Sequence, residues 1–372
     1  MRLALLLTLC ACGGEPATPP RPGTPPIKFL HTFNPSETEL FNKTIADRGW
    51  IVDASLVPFA RGHQVITEIL RAGKACPDLI RIDATWLPGL VAAKLLVPPP
   101  DELARAPWTA ISRELASLGG TMWAVPQTID GLVVVRQAST PAPKSERIAD
   151  LVAAAKASQL PHPLGVRVDG YWLVPWLRAE GVELAPPAIA SDGAVRGLAS
   201  FAALFGTLAA APPSAGSEAP DELRRWNAHE LAYWVTGPWQ LGDLRDRDQI
   251  EVSAIEHAPR GGQLLVVPAC AAQPAAGWKL AKELTSEQVS LIFSDAFATI
   301  PTLAIAQEHA TPLVQRTLGA LVHSELLPRT PVTPLLFDDL NPAVAAVVAG
   351  DATAEEAIAG VRRGWHRLER EK

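Results

Sequence analysis

Apolar and polar positions along the chain change their period from segment to segment. Ile27-Lys28-Phe29-Leu30 is a short apolar run that reads as a strand, with His31 to Asn34 as a loop. Pro35-Ser36-Glu37 opens a helix in which Ser36 is placed to cap over Glu39, and Leu40, Phe41, Thr44 and Ile45 form its apolar stripe. Gly49 ends that helix. Trp50 to Val57 is a second strand, Gln64 to Ala72 a second helix closed by Gly73, and Pro77 to Asp83 a third strand. Strand and helix alternate, which predicts right-handed crossovers and a parallel sheet.

The pattern continues with a hairpin over Gly119 to Pro126 and a strand from Thr128 to Arg136. A helix is expected from about Ser145 to Ser158, then a strand over Leu164 to Val168 that ends at Asp169-Gly170-Tyr171-Trp172, and a helix running on to Gly181. An Ala-rich helix spans 193–210, and a short one spans Asp221 to Trp226. Leu231 to Val235 is strand-like and stops at Gly237-Pro238, which leaves Trp239 just past a strand end. Ligands of open α/β sheets bind beyond the carboxyl ends of strands, where a large aromatic forms a flat wall. Ile250 to Ile255 reads as a strand, Ala258 to Gly262 as a turn and Gln263 to Ala269 as a strand. Helices follow to the end, one of them with Thr353 as its cap.

Composition adds limits. A chain of 372 residues suggests two domains, and 48% hydrophobic against 19% charged residues allows a sizeable core. The net charge is −6 with no Lys/Arg block, which argues against nucleic acid as a partner. At the amino terminus Arg2 and the run Leu3 to Leu9 form a targeting segment far below the ~20 residues a membrane-spanning helix needs. Leu9-Cys10-Ala11-Cys12 resembles a lipobox, so residues 1–11 are expected to be a signal peptide cleaved before Cys12, whose thiol takes the lipid. Residues 12–26 are Pro-dense and read as a semi-extended tether. Cys76 and Cys270 remain in the body, and a disulfide between them or two buried free thiols are both compatible with the sequence.

The stretch from Trp226 to Leu241 resembles a signature of the family 1 extracellular solute-binding proteins, the sugar-binding components of ABC importers. Asn227, Ala232, Thr236, Gly237, Pro238 and Trp239 fit, while Tyr233 replaces the usual Met. Gly73, Pro77, Asp78 and Leu79 fit the family's opening, Gly119 to Pro126 its hairpin, and Gly350 to Ile358 its closing helix, so the resemblance covers nearly all of 27–372. It implies an α/β, two-lobed periplasmic-binding-protein-like fold of type II. Each lobe would be a mixed sheet flanked by helices, with three crossings joining them. The expected N-terminal lobe is 27–129 with 250–300, and the C-terminal lobe 130–249 with 301–372.

The same resemblance implies a ligand cleft between the lobes, walled by Trp86, Tyr171, Trp172, Trp239 and Phe337, with Asp83, Asp130 and Asp169 accepting hydrogen bonds from hydroxyls. As residues alone, Trp86 also suits a core position and Asp130 a turn before Gly131. The implied function is capture of a mono- or oligosaccharide and its delivery to the transmembrane subunits of an ABC permease. The protein would be a monomer, lipid-anchored on the extracytoplasmic side of the cell envelope. A polyamine or peptide cargo is the alternative, and a carboxylate-pair glycosidase a more distant one. No cofactor or metal is expected: His229-Glu230 is followed by Tyr233 where a zinc helix needs His, and no phosphate loop, dinucleotide fingerprint or Gly-x-Ser-x-Gly elbow occurs.

Overall fold

The computed structural model describes residues 25–211 and 221–370. Cys12 and the lipobox lie outside the described residues. Among the described residues no helix is long and apolar enough to cross a membrane.

The first sheet begins as the alternation predicts. Ile27–His31 runs parallel to both Val52–Leu56 and Leu79–Asp83, with helices Pro35–Asp47 and Phe59–Ala72 between them. The first helix is capped by Asn34, not Ser36. Pro35 takes the first helical position, where its missing N–H is no loss, so the cap is the residue before it, two positions earlier than Ser36. Asn34 Oδ1 accepts from the Glu37 N–H at 2.8 Å, and Glu37 accepts from the Asn34 N–H at 2.8 Å.

The sheet is completed by a strand from much later in the chain. Pro259–Pro268 is buried along its whole length and runs antiparallel to Leu79–Asp83 on one side and Val125–Gly131 on the other. The turn expected at Ala258 to Gly262 is therefore mostly strand: Gly261 pairs with Asp130 and Gly262 with Ile129. A Cβ on Gly262 would stand 2.2 Å from the Thr128 carbonyl oxygen, so only glycine allows this approach.

The second sheet has the order Ile250–Ser253, Val133–Gln137, Tyr233–Thr236, Leu164–Gly165. Two expected boundaries shift. Ile250–Ser253, expected in the first lobe, pairs antiparallel with Val134 to Gln137, so the chain crosses only after Ser253. Asp130 and Gly131 still pair with Gly261 and Arg260 of the first sheet, so the earlier crossing falls at Gly131-Leu132. Ile300 bridges Ile129, after which helix Pro312–Leu321 packs on Ile250–Ser253 and Val133–Gln137.

One apolar core surrounds the first sheet and continues through Ile300, Leu313 and Val314 onto Val133, Val135, Trp234 and Ile250. The other face of the second sheet, with Leu132, Val134, Tyr233 and Val235, belongs to a second core that includes helices Gly170–Ala179, Asp192–Ala202, Leu336–Ala349 and Ala354–Arg370. Arg178, buried in the first of these helices, donates to the carbonyl oxygens of His257, Glu325 and Leu326 at 3.3, 3.4 and 2.9 Å and pairs with Glu183 at 3.0 Å. Its planar fork ties the second-sheet layer to the two segments that enter and leave the first sheet.

Cys76 and Cys270 form a disulfide, with 5.9 Å between Cα atoms and a separation of 194 positions in sequence. It joins the loop before Leu79–Asp83 to the end of the return strand. Replacing both cysteines by Ser is expected to lower unfolding stability by about 2–5 kcal/mol. Urea melts of the variant and of the native protein with and without reductant check this, and coincident melts would show that the bridge adds nothing.

Candidate functional site

The site grows from strand alternation. Arg81 and Asp83 are two residues apart and share a face of the first sheet. Asp83 pairs with Gln263, and Gln263 pairs in turn with Thr128. Asp130 lies two residues beyond Thr128. A bulge follows, since Gln263 faces Thr128 but Leu264 faces Pro126, which leaves Gln127 as the extra residue. Its side chain turns inward and accepts from Arg81 Nε at 2.8 Å. Arg81 also donates to Thr32 Oγ1 at 3.0 Å, stands 3.8 Å from Glu37, and lies 4.5 Å from the Phe33 ring centroid. The guanidinium is thus committed to structural partners.

The two carboxylates on this floor are electrostatically strained. Burial, reinforced by the charge of Asp83, pushes Asp130 up to about 7, against the opposing pulls of Arg81 and the Gln263 amide. Burial also raises Asp83, while hydrogen bonds from the hydroxyl and N–H of Thr85, with the charge of Arg81, hold it down.

An aromatic cluster adjoins this floor through Tyr171. Asp169 caps helix Gly170–Ala179, its Oδ1 accepting from the Tyr171 N–H at 2.8 Å. The strand before it is only Leu164–Gly165, so Tyr171 and Trp172 occupy the first helical turn and not a strand end as expected. Trp172 is 7% exposed and donates its indole N–H to the Val235 carbonyl at 2.8 Å, beneath the Gly237-Pro238 turn. Trp239, in the short helix Pro238–Leu241, is 36% exposed and packs on Trp172 with centroids 5.9 Å apart. A Cβ on Gly237 would stand 2.3 Å from the Trp239 ring, so glycine there lets the ring fold back. Tyr171 lies 6.3 Å from Trp239 and 6.5 Å from Phe337, at the start of helix Leu336–Ala349. Gly170 N–H donates to Asn341 of that helix at 2.8 Å, which fixes the wall's base.

Wall and floor meet at Tyr171. Its hydroxyl donates to the Pro259 carbonyl oxygen at 3.3 Å. A Cβ built on Gly261 would lie 2.8 Å from Asp130 Oδ1 and 3.9 Å from the Tyr171 hydroxyl. Burial raises Tyr171 well above its ordinary value, and the charges of Asp130 and Asp83 add to that.

Of the eight residues expected to line a cleft, Asp83, Asp130, Asp169, Tyr171, Trp172, Trp239 and Phe337 form one connected region. Trp86 does not join it. Its ring is 5% exposed and lies under helix Phe59–Ala72, 5.5 Å from Phe59 and 6.0 Å from His63, against Gly62, where a Cβ would stand 2.4 Å away. This is a packing role, corrected from the expected wall, because that helix offers an apolar face directly over the strand end. Arg81, Gln127 and Gln263 were not anticipated. Polar residues at alternate positions within apolar strands, Arg81-x-Asp83 and Thr128-x-Asp130, were the available signal. Among the described residues no group of three or more His, Cys, Asp or Glu could hold a metal ion.

No protein-family model and no curated protein matches this chain. Solved structures do match it. The GacH receptor of Streptomyces glaucescens, studied unliganded and with acarbose, is 21% identical with a TM-score of 0.78, covering 93% of this chain and 98% of its own. Maltose-bound MalE3 of T. maritima is 18% identical with a TM-score of 0.80, covering 93% and 100%. The Thermus thermophilus maltotriose-binding protein, bound with maltotriose, is 17% identical with a TM-score of 0.75, covering 91% and 99%. Likeness at this level establishes the fold: two lobes of the periplasmic-binding-protein type, each a sheet flanked by helices.

Two outcomes follow from this geometry. Trp239→Ala should leave the melting temperature nearly unchanged, because the ring is partly exposed, whereas Trp172→Ala should destabilise by about 3–5 kcal/mol through a cavity and an orphaned carbonyl. Thermal melts of the two variants check the difference; equal losses would place Trp239 in the core. Asp130 sits at about 7 in the folded protein against 3.8 ordinarily, so between those values the folded form holds a proton the unfolded chain has released. The native protein should therefore lose stability relative to Asp130→Asn as pH rises from about 4 to about 7, and the gap should then level off. Measuring the difference removes shared contributions such as that of His31, which burial and Arg81 lower to about 4. A pH-independent gap would contradict the assignment.

Proposed function

We propose that this protein is the ligand-capturing component of an ABC importer and that its ligand is a carbohydrate. The observation that supports this best is the junction at Tyr171, where an aromatic wall of Tyr171, Trp172, Trp239 and Phe337 meets a floor bearing Asp83 and Asp130. A sugar ring has an apolar CH face and a polar rim. The wall suits the face and the carboxylates suit the rim, as in binding sites that combine an apolar lining with a few placed polar groups. The solved relatives of this fold include proteins bound to maltose and maltotriose, which is consistent with the reading.

The proposed cycle has no chemical step. The ligand enters between the lobes, touches both, and shifts the population toward a closed state by rotation about the chain crossings. A membrane permease then distinguishes the closed form. In this reading residues 1–11 direct export and Cys12 carries the lipid that holds the body at the extracytoplasmic face of the membrane.

A thermal-shift screen against mono- and oligosaccharides, polyamines and amino acids tests the reading. A ligand at a hundred times its dissociation constant should add about 2.7 kcal/mol of stability, a readily visible shift. A saccharide response that Trp239→Ala removes is the expected result, and a response to polyamines alone would overturn the carbohydrate assignment.

A further inference from the structure

Two aromatic pairs of the same construction stand at the edges of the two sheets. At the second sheet Trp239 lies partly exposed on Trp172, whose ring is buried and whose N–H is spent on Val235. At the first sheet Phe59 lies on Trp86, with ring centroids 5.5 Å apart and planes 35° from parallel. Trp86 is buried, while Phe59 is 52% exposed. The indole is wedged against Gly62, one turn into the helix that Phe59 opens, and the Trp86 main-chain N–H donates to the Asp83 carbonyl at 3.0 Å.

An exposed aromatic by itself is ordinary. What distinguishes Phe59 is its place in the sheet. Strands Val125–Gly131, Leu79–Asp83, Ile27–His31 and Val52–Leu56 all run the same way, with Pro259–Pro268 antiparallel between the first two. Asp130, Asp83 and Leu56 therefore lie at one edge, where the carboxyl ends of the strands open, and Phe59 follows Leu56 by three residues. Tyr171 meets this edge at the Asp130 end, and Phe59 stands at the other. Four strand spacings separate the two outer strands, roughly 19 Å. The segment leading to Phe337 also reaches the Trp86 corner: a Cβ on Gly89, in helix Leu87–Ala92, would lie 3.5 Å from the Pro331 carbonyl oxygen.

We infer that Phe59 is a ligand-stacking residue of the first sheet and that the carbohydrate is an oligosaccharide of at least three units, lying on Trp239 and Tyr171 at one end and on Phe59 at the other. The inference rests on the carbohydrate reading above and narrows it. A single sugar ring is far shorter than the edge it would have to cover, so a monosaccharide leaves one aromatic pair bare. A chain of sugar rings presents a repeated apolar CH face to both pairs and its hydroxyls to the carboxylates between them. Phe59 is prepared for this: its backbone is fixed in a helix and its ring already rests on a buried one, so little freedom remains to be lost when a sugar covers it.

Calorimetric titration of the full chain with oligomers of glucose, mannose and galactose, from one to six units, tests this. In the series that binds, affinity is expected to rise at least tenfold from the disaccharide to the tetrasaccharide. Phe59→Ala should weaken the tetrasaccharide about tenfold and the disaccharide less than twofold, and the surviving disaccharide binding shows that the variant has folded. Phe59→Tyr keeps the ring and should hold the native affinity, whereas Trp239→Ala should weaken every length. Equal affinity for one unit and for four, or a tetrasaccharide affinity unchanged in Phe59→Ala, would overturn the inference and leave the carbohydrate reading standing. Silence across the whole panel would count against both.

Discussion

The strand Pro259–Pro268 is the constraint on which the rest of this structure depends. It is buried over ten consecutive residues, and a buried strand must find partners for its main-chain donors and acceptors. It finds them in Leu79–Asp83 and Val125–Gly131, with Leu96–Val97 and Glu325–Leu326 at its two ends. The chain must therefore leave the first sheet, build the second, and come back. That excursion places the crossings beside one another, and it is at the crossings that Tyr171 and Arg178 reach across to main-chain carbonyls.

The same strand assembles the floor of the candidate site. Its glycines allow the Val125–Gly131 strand to come so close that Thr128 and Asp130 sit next to Gln263, and the bulge at Gln127 sends one amide inward to anchor Arg81. Arg81 then serves as an internal counterion, held by a carboxylate, an amide, a hydroxyl and an aromatic face. Breaking such a buried ion costs more than its net worth, since a charge left alone in a core is not stabilised by water. The polarity of Asp83 and Asp130 is thus balanced in part by a buried cation that is itself held by neutral and acidic neighbours.

The wall is built by different means. Trp172 is rigid because its ring is buried and its N–H is spent on Val235, and it forms the backing on which Trp239 stands partly exposed. Two glycines make this possible: Gly237 leaves room for the Trp239 ring, and Gly170 brings the helix onto Asn341 and Leu340. Pinned aromatics behind and a freer one in front give a surface that keeps its shape at little entropic cost when a flat ligand lies on it.

The sequence by itself determined the parts governed by short-range rules. Hydrophobic period gave the alternation from Ile27 to Asp83, and Gly237-Pro238 gave the end of the strand before Trp239, since both depend on residues within a few positions of one another. Resemblance to a known family then ordered those parts into two lobes, and the fold brings the named residues other than Trp86 into one region. The tertiary structure alone decided what depends on distant segments. Gly261 and Gly262 read locally as a turn, and only the presence of Val125–Gly131 alongside makes them strand. Ile250–Ser253 reads locally like a first-lobe strand, and only its pairing with Val134 to Gln137 places it in the second sheet. Trp86 has the same residue type and strand-end position as a cleft aromatic, but a helix lies over it. Gln263 became a site residue only because sheet register set it opposite Asp83 and Thr128, a relation between strands that lie far apart in the chain.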